Sequence, residues 1–95
     1  MASTLVIRHQ IGDYDVWRSA FDRDAPDRRE HGCTQEAVFR GVDDPTTILV
    51  AMEYPSRDAA LGFLGNPALK AAMQTSGVVG EPIAVLGEAL TPQSV

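Results

Sequence analysis

Three side chains of the sequence could carry out acid–base chemistry on a small organic molecule, and His9 is the first. It lies near the end of a predicted strand at the same parity as Leu5 and Ile7, so all three are expected to point to one face. A neutral imidazole there could act as a general base toward an acidic phenol or an enolisable ketone, because its pKa lies near neutral pH. The alternative is a structural histidine, since no orienting acid is near in sequence.

Tyr14 and Arg40 are the other two candidate catalytic residues. The Tyr14 hydroxyl, at the start of a predicted helix, could donate a hydrogen bond to a ligand oxygen. Arg40 stands in an otherwise apolar strand, where a charge needs a partner or solvent. It could stabilise a developing enolate or phenolate by bidentate hydrogen bonding, or it could pair with Glu53 across a hairpin.

Candidate substrate-binding residues are the large apolar side chains on the predicted helices. Trp17 and Phe21 follow Tyr14 at helical spacing and could form a flat aromatic wall for a planar substrate. Phe63 and Met73 would face the same space from the second helical region. Core packing is the alternative function for each of these side chains.

Other potentially reactive residues have simpler explanations. His31 falls in the last turn of a helix, where a cation is favoured by the unpaired carbonyl groups. Cys33 begins a strand, where a cysteine is usually a packing residue. The mixed charges of residues 22–30 are typical of a solvated helix face. No metal-ligand spacing and no phosphate-binding glycine-rich loop is found, so we expect no metal and no cofactor.

The elements that would position these residues alternate in a simple order. Strands are predicted over residues 4–11, 33–40, 46–54 and 83–86 from their β-branched and apolar content. A first helix follows the N-cap Asp13 and restarts at Pro26. A second helix follows the N-cap Ser56 and restarts at Asn66-Pro67.

The order β-α-β-β-α-β is that of the ferredoxin-like α+β unit, a four-stranded antiparallel sheet with its helices on one face. Residues 48–52, however, are apolar at both parities, which indicates a sheet buried on both faces. The helices can cover only one of them. The second face is therefore expected to pack against another copy of the chain, which predicts a homodimer.

Length and charge exclude several classes of protein. The 95 residues are enough for a single domain with its core at about residues 4–90 and a loose tail over 91–95. Thirteen acidic and 8 basic residues give a net charge of −5, which disfavours nucleic acid and an anionic membrane surface as partners. The N-terminus does not look like a signal peptide, and Cys33 is the single cysteine, so we expect a cytoplasmic protein.

Several segments together resemble a known superfamily. They are residues 7–9, the run Asp13-Tyr14-Asp15-Val16-Trp17 with Phe21-Asp22, residues 38–40 ahead of Asp43-Asp44-Pro45, Asn66-Pro67-Ala68-Leu69, and Gly77-Val78-Val79-Gly80. This pattern, over about residues 4–90, resembles the dimeric α+β barrel proteins, most closely the antibiotic biosynthesis monooxygenase-like branch, in which some members are labelled cyclases. The resemblance implies a ligand cavity between helices and sheet. The haem-degrading branch uses an Asn on the first strand and a His on the second helix, and the sequence has neither there.

Our leading hypothesis is therefore a cofactor-independent enzyme that acts on a small apolar molecule, aromatic or polyketide-like, by proton abstraction followed by oxygenation or ring closure. The rival is a non-catalytic homodimer that binds a small ligand or is associated with stress. A third possibility is a subunit that recruits a larger partner enzyme through its dimer surface or tail. An empty cavity faced by His9 or Tyr14 would favour the enzyme or the ligand-binding protein, and a collapsed core would favour a structural role.

Overall fold

A computed structural model describes residues 2–90 of the chain, so the predicted tail at 91–95 lies outside the described residues. The elements are β1 (Ser3–Ile11), α1 (Tyr14–Arg23), α2 (Ala25–Glu30), β2 (Gln35–Arg40), β3 (Thr47–Tyr54), α3 (Arg57–Leu64), α4 (Pro67–Thr75) and β4 (Val78–Glu88). The strands form one antiparallel sheet in the order β2-β3-β1-β4. This arrangement confirms the predicted ferredoxin-like α+β fold.

The helix boundaries follow from local hydrogen bonds that the sequence predicts. The side chain of Asp13 accepts from the amide of Val16 at 3.1 Å, and Ser56 caps α3 in the same way through the amide of Ala59. Asn66 caps α4, whose first residue is Pro67. The restart near Pro26 is real, because α2 follows α1 after a turn at Asp24.

The helices cover one face of the sheet, and that face is the core. Alternate residues of β1 and β3 are almost fully buried against the helices. Trp17 from α1 and Ala60 and Phe63 from α3 complete the cluster. Every second side chain of the two central strands is thus fixed in the interior, and His9 is one of them.

Strand β4 is longer than its sequence indicates, and the prediction that it spans only residues 83–86 is wrong. It begins at Val78 and runs through Gly80 and Pro82, both of which are unfavourable in a strand interior. Two features make this possible. β4 is an edge strand, and its register against β1 shifts so that residues 80–82 together lie opposite His9. Gly80 takes φ +75° in this bulge, a conformation that favours glycine.

The opposite face of the sheet carries exposed apolar side chains. Phe39 of β2 and Val85 of β4 are 53% and 61% exposed, and Ile83 is half exposed. Val6 and Leu49 lie between them on the central strands, on the same face by register. The pattern of apolar residues at both parities therefore corresponds to two apolar faces, of which the described chain covers one.

Candidate active site

A cavity of about 330 Å³ lies between the helices and the sheet. This volume falls at the lower end of the range typical of small-molecule sites, about 300–1,000 Å³. Five of the seven site residues predicted from the sequence line this cavity. They are His9, Trp17, Phe21, Phe63 and Met73.

His9 is a buried polar residue of the cavity that has no internal hydrogen-bond partner. It is 6% exposed, and neither its Nδ1 nor its Nε2 has a hydrogen-bond partner among the described residues. Burial lowers the pKa of His9 below its usual value of 6.5, so the imidazole is neutral at pH 7. A neutral imidazole offers one N–H donor and one nitrogen that can accept a proton. Because an unsatisfied buried polar group is costly, the ring nitrogens of His9 need a polar partner such as a ligand or a water molecule.

An aromatic wall stands beside His9. The ring centroids of His9 and Trp17 are 5.6 Å apart, and those of Trp17 and Phe21 are 4.9 Å apart with their planes inclined by 18°. The three- and four-residue spacing of a helix places both aromatic rings on the inner side of α1. The wall suits a flat, apolar ligand.

Arg28 forms a charged part of the wall that sequence reasoning missed. Its guanidinium donates two hydrogen bonds to Glu36, at 2.6 and 3.0 Å, and one to the carbonyl oxygen of Phe21 at 2.8 Å. It also lies 3.6 Å from the centroid of the Phe21 ring. At 4% exposure Arg28 is buried, so the interpretation of residues 22–30 as a solvated helix face is wrong at this position.

Asp24 and Asp27 line the same end of the cavity as Arg28. Asp27 accepts a hydrogen bond from the amide group of Asn66 at 3.3 Å, which links α2 to the start of α4. Asp27 and Arg28 follow Asp24 by three and four residues. This helical spacing indicates that the three charges share one side of the helix. The signal was hidden because the whole segment is strongly charged.

Tyr14 and Arg40 lie together outside this cavity. The Arg40 guanidinium carbon is 4.1 Å from the centroid of the Tyr14 ring, a cation–π contact between β2 and α1. Neither residue is among those that line the cavity. The alternative that Arg40 pairs with Glu53 is wrong, since their partners in the ladder, Ile48 and Gln35, place the two side chains on opposite faces of the sheet.

His31 and Cys33 make local contacts. The Nδ1 of His31 lies 2.9 Å from the carbonyl oxygen of Asp27, and its ring meets the edge of Phe63. The Cys33 thiol donates to the carbonyl oxygen of Gln35 at 3.3 Å, and burial raises its pKa. Within residues 2–90 no three His, Cys, Asp or Glu side chains are grouped as metal ligands would be. No helix in that range is long and apolar enough to cross a membrane.

Comparison with solved structures identifies the fold. The chain matches SnoaB, a cofactor-independent oxygenase from Streptomyces nogalater, with a TM-score of 0.78 and 18% identity over 96% of this chain and 95% of that one. It matches Rv0793 from Mycobacterium tuberculosis with a TM-score of 0.74 and 15% identity over 99% and 100%. A structure of an antibiotic biosynthesis monooxygenase gives a TM-score of 0.72 and 15% identity over 94% and 99%.

These matches span nearly the whole of each chain, so the chain has the fold of these structures, and the predicted resemblance to antibiotic biosynthesis monooxygenase-like proteins is confirmed at the level of fold. No protein-family model matches the sequence, and no curated protein matches it.

Proposed function

We propose that the protein is a cofactor-independent monooxygenase of a small, planar aromatic molecule of the polyketide type. The observation that carries this proposal is His9, a buried, neutral imidazole without an internal partner on the wall of a mostly apolar cavity. The fold shared with SnoaB, a cofactor-independent oxygenase, supports the same reaction class. One fold can host many activities, so the residues of the site have to support the reaction class independently.

In the proposed reaction His9 is the general base. Its free ring nitrogen removes a proton from an acidic C–H of the substrate and leaves an enolate. The enolate gives one electron to O2, and the two resulting radicals combine as a peroxide anion. This anion takes the proton back from His9 and becomes a hydroperoxide. Loss of water from the hydroperoxide leaves a carbonyl group, so one oxygen atom enters the substrate and one leaves as water.

The aromatic wall and Arg28 would hold the substrate in this reaction. Trp17 and Phe21 offer a flat surface beside His9, which orients a ring system without fixing its charge. Arg28 has five N–H groups, of which three donate to Glu36 and Phe21. The remaining two could hydrogen-bond a developing enolate or phenolate oxygen, the role that the sequence assigned to Arg40. Tyr14 and Arg40 have no part in this proposal.

The functional unit that we propose is a homodimer. The exposed apolar residues Phe39, Ile83 and Val85 share the uncovered face of the sheet, and a second copy would bury that face by sheet-on-sheet packing. An apolar area of about 500 Å² per subunit would contribute on the order of 12 kcal/mol for each subunit before entropic costs. We place this dimer in the cytoplasm because its thiol at Cys33 suits a reducing compartment.

The experiment that tests the proposal is oxygen uptake with 1,8-dihydroxyanthrone, a tricyclic phenol whose central methylene is acidic. We expect the chelator-treated protein to consume one O2 for each quinone formed, well above the rate without protein. A ligand-binding protein would instead bind the probe and leave its oxidation rate unchanged, and that result would contradict the proposal. An enzyme that catalyses ring closure would also leave oxygen uptake unchanged, and this result would likewise contradict the proposed monooxygenation.

A further inference from the structure

A second cavity, of about 410 Å³, adjoins the first between α4 and β4. Ile7, Leu69 and Met73 line both cavities. These three side chains therefore form the partition between two neighbouring chambers. We call the chamber that contains His9 the ring chamber and the one beside β4 the side chamber.

The side chamber exists because α4 is loosely seated on the sheet. No residue of α4 is buried. Ala84 of β4 pairs with Ile7, so it lies on the face that the helices cover, yet it is exposed. Protein interiors are normally packed to crystal-like density, and an amphipathic helix that leaves this much space over a strand is unusual unless something else fills it.

The walls of the side chamber are apolar and its rim is polar. Its inner surface comes from Ile7, Leu64, Val78, Pro82 and Ala84. Lys70, Gln74 and Glu81 also line it and are exposed, so they form the side that faces water. Such a space suits a flexible apolar chain better than a second charged or strongly polar group.

We propose that the side chamber binds an apolar chain attached to the ring system in the ring chamber, and that Met73 and Ala84 set the length of chain that the protein accepts. The substrate class is then a planar aromatic ring with an alkyl or acyl side chain. The inference rests on the proposed function because that function places the ring beside His9. The wall that the two chambers share includes Met73, a flexible side chain that can move to let a chain pass, and this favours that occupant over a segment of a second copy.

The test compares two non-reactive probes, 1-hydroxyanthraquinone and its 2-hexyl derivative. Their binding quenches the fluorescence of Trp17, the single tryptophan of the chain, which lines the ring chamber. Each buried methylene multiplies the binding constant by about four, so we expect the hexyl derivative to bind the wild-type protein at least ~30-fold more tightly. Ala84→Phe fills the side chamber without touching the ring chamber, and it should reduce that ratio to below about threefold while the parent compound binds as before.

Two further variants separate filling of the side chamber from a general effect of added bulk. Ala71→Phe adds the same bulk to an exposed position of α4 that lines neither chamber, and it should keep the wild-type ratio. If Ala84→Phe does not fold, the smaller Ala84→Leu should still lower the ratio.

An unchanged ratio in the Ala84 variants, or no gain from the hexyl chain in the wild type, overturns the inference alone. The second result is also expected if a second copy of the chain occupies the side chamber. Failure of the parent compound to bind the wild-type protein would overturn both the inference and the proposed function.

Discussion

The imidazole of His9 and the indole of Trp17 face one cavity with their centroids 5.6 Å apart. His9 points inward because side chains alternate along β1, and Trp17 lies on the inner side of α1. The distance between the two rings therefore depends on how the helix packs on the sheet. The pair combines a group that can accept a proton with a flat surface that can hold an aromatic ring. This relationship depends on the charge of His9, on the stability of the surrounding fold and on the assembly of the chain.

The first prediction concerns the charge of His9. Because burial disfavours the protonated form, we expect its pKa to lie below 6.5. The chain has two histidines, so NMR titration of the imidazole protons gives two curves, and a His31→Gln variant assigns them. A midpoint for His9 at or above 6.5 would contradict the burial that the structure shows.

The second prediction is the pH dependence of stability that follows from this shift. Below pH 6.5 the unfolded chain binds a proton at His9 more readily than the folded chain, so the free energy of unfolding falls as the pH falls from about 6.5 toward the folded pKa. His9→Leu removes this pH-dependent loss of stability and also removes an unsatisfied buried polar group. It should be more stable than the wild type at pH 7 by about 1 kcal/mol, and by more at pH 5. Urea denaturation at both pH values checks this, and a less stable variant would count against the unpartnered imidazole.

The third prediction concerns the ion pair between the buried Arg28 and the partly exposed Glu36. Glu36→Ala leaves the buried guanidinium without its charged partner, so we expect a loss of about 3 kcal/mol in the free energy of unfolding. Arg18→Ala is the control, because the Arg18–Asp22 pair is exposed and should contribute less than about 1 kcal/mol. Equal losses in the two variants would show that Arg28 does not act as a buried charge.

Much of this architecture could be predicted from the sequence because its signals are local. Asp13, Ser56 and Asn66-Pro67 mark helix starts by cap chemistry that does not depend on the rest of the fold. The strand parity that turns His9 inward is local as well.

The predictions that failed depend on contacts distant in sequence. Strand β4 extends through Gly80 and Pro82 only because β1 supplies a partner and the bulge absorbs the irregular residues. Arg28 is buried only because Glu36, eight residues away on β2, offers it a carboxylate. The predicted Arg40–Glu53 pair fails for a similar reason, since Arg40 lies against Tyr14 where β2 and α1 meet in the folded chain.

The fourth prediction concerns the uncovered sheet face. We expect light scattering after size-exclusion chromatography to give about twice the 10.2 kDa mass of one chain. Val85→Glu places a charge on this face, where Val85 is 61% exposed in the single chain, and should shift the protein to monomers. Val42→Glu is the control, because Val42 is 99% exposed in the turn before β3. A monomeric wild type at micromolar concentration would contradict the dimer.

The central claim is that His9 is the base, and the most direct measurement is the rate of oxygen uptake with 1,8-dihydroxyanthrone by His9→Gln and by His31→Gln. Glutamine keeps hydrogen bonding but cannot take up a proton near neutral pH. Removal of a general base typically lowers the rate by 10²–10⁴-fold, so we expect a loss of about that size in His9→Gln and a change of less than about threefold in His31→Gln. A wild-type rate in His9→Gln, with the probe still bound, would contradict the account.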